Sequence, residues 1–232
     1  MQEINLIEQR LPEIYSMGYV PTLRKGNTGV GYTLEELFDI DENNDSGADI
    51  NGIIELKAQR KGGSSRTTGF CQNFLWNNRI RDIIKKYGWL DGEKPHRINF
   101  YPSLRVDKDS PNGLKLQIVG QDLNIVSEKK ILATIPLAIV EFRFRQKLNK
   151  LLLVYAESKK INKVEHFHYN EAYLCQYPKV NKIIELLIDG KLVVEPRCYL
   201  DTLTGKIRDR GVAWRLKGEY LKELYGNVKK IV

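Results

Sequence analysis

The stretch GADINGIIELKAQR, residues 47–60, decides how this chain is read. Asp49 is followed, after five intervening residues, by Glu55-Leu56-Lys57. On a strand, side chains two apart share a face, so Glu55 and Lys57 point the same way. The apolar pair Ile53-Ile54 makes residues 53–57 a short strand, and a turn bearing Asn51-Gly52 brings Asp49 beside Glu55. Two carboxylates on a rigid strand are hard oxygen donors, of the kind that suit Mg²⁺ with several retained waters. A lysine beside them can orient an attacking water and offset negative charge as it develops. These are the parts needed to hydrolyse a phosphodiester. Spacing alone favours a plainer reading, a strand edge with an exposed Glu/Lys pair, because 28% of the chain is charged and such spacings arise by chance.

Working outward, the 232 residues carry 37 Lys and Arg against 29 Asp and Glu, a net charge of +8. That length fits one large domain or two lobes sharing a core. Apolar residues at 42% and aromatics at 9% mark a globular chain, too rich for disorder. No apolar run approaches the roughly 18–20 residues of a membrane span. The first residues carry acids where a signal peptide has a basic head. Cys71, Cys175 and Cys198 show no CxxC spacing, which argues against a disulfide framework and a cysteine zinc site, so a reducing cytoplasm is expected. His166 and His168 lack the further ligands of a zinc site, and KGNTG at residues 25–29 lacks the ending of a P-loop. The positive excess suits an acidic partner, although on its own it describes only a solvated surface.

Periodicity supplies the elements. Ile4, Ile7 and Leu11 predict a helix that Pro12 interrupts or kinks, and a polar, glycine-bearing stretch follows at 24–31. Thr33 and Glu36 have capping-box spacing for a helix starting there, and residues 41–47 form a loop. Ile80, Ile83, Ile84 and Tyr87 mark a helix. Residues 98–106 and 114–119 are expected to pair across a turn at Pro111-Asn112-Gly113. Residues 139–148 fit a strand or a helix, and 151–156 fit a buried strand. Val180, Ile183, Ile184 and Leu187 form a helical stripe. Residues 191–199 form a strand whose Pro196 implies an edge or bulge, and 216–224 a closing helix. Mixed elements of this kind imply an α/β or α+β fold with a mixed central sheet flanked by helices.

KGNTGVGYTLEELFDI at 25–40, followed by GADINGIIELKAQ, resembles the MvaI/BcnI restriction endonucleases and, more distantly, the MutH mismatch-repair nickase of the PD-(D/E)xK superfamily. LLLVYAESK at 151–159, VEPRCY at 194–199, RDRGVAWRL at 208–216 and the ending NVKKIV agree in the same order, while residues 62–135 find no counterpart. The resemblance implies a PD-(D/E)xK, MutH-like fold with two lobes around a DNA cleft. Residues 1–150 would be the catalytic lobe with a middle insertion, and 151–232 the recognition lobe.

It further implies that Asp49 and Glu55 bind the metal and that Lys57 is the catalytic lysine. Glu35, four residues after Gly31, would support the metal or its water, with Glu36 left to the capping box. Two positions depart from the family pattern: Ala48 stands where a proline is usual, and the spacing from Asp49 to Glu55 is one residue longer. Arg208, Asp209, Arg210 and Arg215 are expected on a turn entering a helix, as donors to guanine and an acceptor for cytosine. Arg208 and Arg210 replace histidines of the family. Arg197 matches a DNA-contacting arginine, Lys159 is placed near the DNA backbone, and Trp214 and Tyr199 are packing residues. The resemblance thus implies a Mg²⁺-dependent (Mn²⁺ substituting) Type II restriction endonuclease. It would cut double-stranded DNA at a short GC-rich site, as a monomer beside a protecting methyltransferase. The alternatives are a MutH-like repair nickase and a catalytically idle DNA-binding module. The intact Asp/Glu/Lys set weighs against the idle module.

Overall fold

The computed structural model describes residues 2–40, 47–128 and 130–232, so the loop expected at 41–47 lies, except for Gly47, outside the described residues. In chain order the elements begin α1 (Gln2–Ser16), β1 (Val20–Pro21), α2 (Gly29–Leu37), β2 (Glu55–Arg60), β3 (Thr67–Cys71), β4 (Leu75–Trp76) and α3 (Ile80–Tyr87). There follow β5 (Trp89–Leu90), β6 (Arg97–Phe100), β7 (Leu114–Val119), β8 (Asp122–Ser127), β9 (Lys130–Pro136) and α4 (Leu137–Leu148). The chain closes with β10 (Leu151–Ile161), β11 (Val164–Pro178), α5 (Asn181–Ile188), β12 (Val193–Asp201), β13 (Ile207–Leu216), α6 (Gly218–Glu223) and β14 (Tyr225–Lys230).

Two compact units result, and neither is continuous in sequence. One comprises Met1–Thr67, Arg145–Lys179 and Lys217–Val232; the other comprises Thr68–Phe144 and Val180–Leu216. This corrects the expected division at residue 150. The reason lies in strand direction: β2 and β10 are parallel neighbours, from Leu151↔Glu55 to Ala156↔Arg60. Parallel neighbours require a long crossover, and here the crossover contains the whole first segment of the other unit.

In the first unit the sheet runs β1-β11-β10-β2, with β14 also on β11. Only the β2–β10 pair is parallel, so the sheet is mixed, as expected. Ile7, Leu11 and Ile14 of α1 and Val30 and Leu34 of α2 pack with Leu56, Leu152, Val154 and Phe167 in one core. Pro12 does not end α1. Burial of Ile14 beyond it continues the apolar stripe and outweighs the lost backbone hydrogen bond. The capping box at Thr33 does not form either, because α2 has already begun at Gly29. Thr33 is buried in mid-helix, where its hydroxyl accepts from Leu23 N at 3.0 Å, and Glu36 is exposed. The closing helix is short, and β14 follows it, a strand that the apolar periodicity does not mark.

In the second unit two sheets run β3-β13-β12-β6-β5 and β4-β9-β8-β7, with β12 antiparallel to β13 and β6, β5 to β6, β9 to β4 and β8, and β8 to β7. The hairpin expected between residues 98–106 and 114–119 is absent: β6 pairs with β12 and β5, and β7 pairs with β8. Pro102 has no backbone donor for a ladder, and β6 stops at Phe100, before it. Residues 139–148 prove helical, with Val140, Phe144 and Leu148 buried at four-residue spacing. Residues 208–216 lie on strand β13 and not on a turn entering a helix. Trp214 of β13 is fully buried, stacked between Phe70 at 5.4 Å and Phe74 at 6.0 Å, and donates to Gln72 O at 3.0 Å. Among the described residues no helix is long and apolar enough to cross a membrane.

Arg60, at the end of β2, ties the glycine-bearing stretch to the sheet of the first unit. Its guanidinium meets Glu165 of β11 through two bonds of 2.7 and 2.8 Å, and donates to Gly26 O and Asn27 O, each at 3.1 Å. Arg60 holds the Glu165 carboxyl below the ordinary value of 4.5. The stabilisation is therefore complete above that value and is lost as pH falls through the lower, folded value. Glu165→Gln is expected to lower stability by about 1–3 kcal/mol near neutral pH. The gap to wild type should shrink as pH falls below 4.5 and close once the Glu165 carboxyl is protonated in the folded protein too. Denaturant titrations at neutral and acidic pH check this, and an unchanged gap in acid would remove the charge as its cause.

Candidate active site

The turn read from Asn51-Gly52 forms. Both residues have positive φ, 52° and 70°, which asparagine and glycine tolerate. Ile50 and Ile54 exchange backbone hydrogen bonds at 2.9 and 3.2 Å. The hairpin absorbs the extra residue and returns Asp49 to β2, where its Oδ2 accepts from Leu56 N at 2.9 Å. Glu55 opens β2 with its N–H donating to Lys150 O at 2.9 Å, and it is 0% exposed. Leu56 faces the core, so Glu55 and Lys57 share the opposite face of the sheet. Lys57 Nζ donates to Glu55 Oε1 and lies 4.0 Å from Asp49 Oδ2.

A second lysine, which no spacing in the sequence signals, completes the cluster. Lys147 lies in the last turn of α4, where a cation suits the helix dipole. Its Nζ is 2.9 Å from Glu55 Oε2 and 3.5 Å from Asp49 Oδ1, and it donates to Gly47 O. The negative charge of Glu35, on α2, is felt at Lys57. Tyr225, buried at the start of β14, donates from its hydroxyl to Leu148 O at 2.8 Å, beside Lys147.

The electrostatics follow from burial. Desolvation pushes the Glu55 carboxyl up, Lys57 draws it down, the Asp49 charge raises it again, and Lys147 draws it down; the net direction is upward. Burial pulls the Lys57 ammonium down, but the Glu55, Asp49 and Glu35 carboxylates outweigh it, so its pKa is raised and it stays charged.

This donor set fits a divalent cation. Glu55 Oε2 is buried and makes no hydrogen bond, although the Lys147 charge lies beside it. Among the described residues no three acidic, histidine or cysteine groups form a complete cage. Asp49 and Glu55 would therefore supply two hard oxygens, with water and substrate oxygens filling the remaining positions.

The residues expected to meet DNA divide into several sets. Arg208, Asp209 and Arg210 are exposed together on β13, and Asp209 Oδ1 accepts from Gly211 N at 2.7 Å. The pairing of β12 with β13 shifts between Pro196 and Cys198, which is the bulge that Pro196 implied. Arg197 faces the extra residue, which lies on β13, and donates to Arg210 O at 2.8 Å and to Cys71 Sγ at 3.2 Å. Arg215, at the far end of β13, pairs with Glu195 at 2.6 Å, and Glu195 also accepts from Ser103 Oγ at 2.7 Å. Lys159 belongs to the first unit, exposed on β10 with its Nζ 3.6 Å from the centre of the Tyr19 ring. Tyr199 is half-buried, with the Arg97 guanidinium 4.5 Å from its ring centre.

Lys147 compensates two carboxylates at once. Lys147→Met is expected to cost about 3 kcal/mol of stability in a chelating buffer, because it strips a buried carboxylate of one counter-charge. Added Ca²⁺ should then recover more stability in the variant than in wild type. Thermal melts with and without Ca²⁺ read both effects, and equal cation shifts in the two proteins would rule out the compensating role.

No curated protein matches the chain. Solved structures that resemble it include two of restriction endonuclease MvaI. The complex of restriction endonuclease MvaI with its cognate DNA substrate has a TM-score of 0.83 at 24% identity, covering 100% of this chain and 99% of that one. MvaI in the absence of DNA has a TM-score of 0.56 at 23% identity, covering 100% and 98%. At these identities the likeness shows the fold. The family model for the MvaI/BcnI restriction endonucleases matches residues 8–225, including the stretch 62–135 that carries none of the motifs quoted above. With nearly the whole length matched, the chain belongs to the MvaI/BcnI restriction endonuclease family, whose members are site-specific deoxyribonucleases.

Proposed function

We propose that this type II restriction endonuclease hydrolyses double-stranded DNA at a short GC-rich site with Mg²⁺, which Mn²⁺ can replace, held by Asp49 and Glu55. The observation that carries this reading is the buried cluster in which Asp49, Glu55 and Lys57 converge, with one Glu55 oxygen left without a hydrogen bond. A cation bound there supplies Lewis-acid polarisation of the scissile phosphate. The protein's own groups do the rest. Lys57 stays protonated beside Glu55, offsets charge developing on the phosphate and orients the attacking water. Glu35 adds a negative charge at Lys57 and supports the same water. Lys147 holds the carboxylates in place until DNA and cation arrive.

Recognition is assigned to β13. Arg208 and Arg210 offer paired donors to guanine O6 and N7, and Asp209 an acceptor for cytosine N4. That composition supports a GC-rich site. Arg215 joins them, with Glu195 fixing the direction of its guanidinium. Arg197 contributes through the bulge that it braces, and Lys159 through a backbone phosphate. The likeness to MvaI bound to its cognate DNA substrate supports double-stranded DNA as the partner. The enzyme works as a cytoplasmic monomer beside a protecting methyltransferase.

The direct test is incubation of the pure protein with plasmid and Mg²⁺: discrete fragments support the reading, whereas nicks alone favour a MutH-like nickase. Asp49→Ala and Lys57→Ala should each abolish cleavage while DNA binding in Ca²⁺ persists, because affinity comes mainly from phosphate contacts elsewhere. Full activity of Asp49→Ala would rule out the site. Arg215→Ala should slow cleavage of the cognate duplex by roughly tenfold or more, equivalent to about 1.4 kcal/mol. Lys230→Ala serves as an exposed control. A wild-type rate and unchanged discrimination for Arg215→Ala would move recognition away from the end of β13.

A further inference from the structure

The chain that leaves β13 is tied at once to the catalytic strand. β13 ends at Leu216 and Gly218 opens α6, so only Leu216 and Lys217 separate Arg215 from Gly218. Gly218 N donates to the side-chain Oε1 of Gln59 at 3.0 Å. Gln59 lies two residues beyond Lys57 on β2 and therefore shares its face. The approach is close enough that any side chain on residue 218 would force the end of the Gln59 side chain to move. A Cβ there would lie 2.1 Å from Gln59 Oε1 and 2.8 Å from both Gln59 Cδ and Tyr155 Oη.

The rest of the segment is held to the same unit. Lys222 Nζ lies 4.2 Å from the centre of the Tyr173 ring and 5.5 Å from that of Tyr155. Immediately beyond α6, the Tyr225 hydroxyl holds Leu148 O, next to Lys147. One short segment thus grips the catalytic strand at Gln59 and the turn that carries Lys147.

We propose that Gln59 is a positioning residue that couples base reading to cutting: tension or relaxation in β13 reaches Lys57 through Gly218 and the Gln59 amide. An apolar side chain would fill the same space. The amide oxygen adds a directional bond to the first residues after the reading strand, so displacement of Gly218 pulls on β2 two residues from the catalytic lysine. The proposal rests on the assignment of base reading to β13.

The test is a set of single-turnover cleavage courses on cognate and one-base-changed duplexes, with DNA binding measured in Ca²⁺. Gln59→Leu should lower the cognate rate by roughly tenfold or more with affinity close to wild type, and should slow the one-base-changed duplex less, narrowing the discrimination ratio. Gln59→Glu keeps the acceptor and should restore most of that ratio. Gly218→Ala forces the two groups apart and should reproduce the Gln59→Leu pattern, which keeps the test open if Gln59→Leu folds poorly. Equal slowing of both duplexes, or a wild-type ratio in Gln59→Leu and Gly218→Ala, would overturn the coupling. If Arg215→Ala narrows the ratio and the Gln59 and Gly218 variants do not, coupling fails and β13 remains the reader. If Arg215→Ala also leaves the ratio intact, the reading assignment fails with it.

Discussion

A carboxylate with no exposed surface is costly unless charge and hydrogen bonds meet it, and the first unit is built around meeting Glu55. Its backbone N–H is bound by Lys150 O, just before β10, and its side chain lies between Lys57 and Lys147. These two demands place the end of α4 and the start of β10 against the start of β2. The parallel pairing that follows sends residues 68–144 out into the second unit and back. Buried ion pairs contribute little net stability compared with apolar packing, so the cluster is better explained by chemistry than by folding.

The same charges explain how the site can accept a cation. Lys57 and Lys147 balance Asp49 and Glu55, and Glu35 adds one further negative charge. Lys147 approaches Glu55 Oε2 and Asp49 Oδ1, oxygens distinct from those facing Lys57. The two lysines thus meet different oxygens of the same two carboxylates and together offset their repulsion.

On β13 rigidity has a different source. The bulge opposite Arg197 interrupts the ladder, and the Arg197 guanidinium restores a partner to Arg210 O. Asp209 accepts from Gly211 N beside the bulge, while Arg208 and Asp209 stay in the ladder opposite Tyr199 and Cys198. Trp214, clamped between two phenylalanines, fixes the other half of the same strand. A braced strand leaves its exposed arginines less conformational freedom to lose on any contact.

The adjacency of Asp49, Glu55 and Lys57 was legible, because a turn and a two-residue period decide it within one short segment, whereas spacing alone did not mark it as a site. The buried strand at 151–156, the stripe at Val180 and the bulge at Pro196 were legible for the same local reason. The helix through Pro12, the mid-helix Thr33, the partners of residues 98–119 and the strand at 208–216 were not. In each, burial against distant residues overrides the local preference. Lys147 reaches Gly47 across 100 positions, and Gly218 reaches Gln59 across 159. Local pattern alone determined the mixed fold class and the meeting of Asp49, Glu55 and Lys57. The arrival of Lys147 and the bond from Gly218 to Gln59 were decided only by the closure of the tertiary fold, because contacts between distant segments leave no period in the sequence.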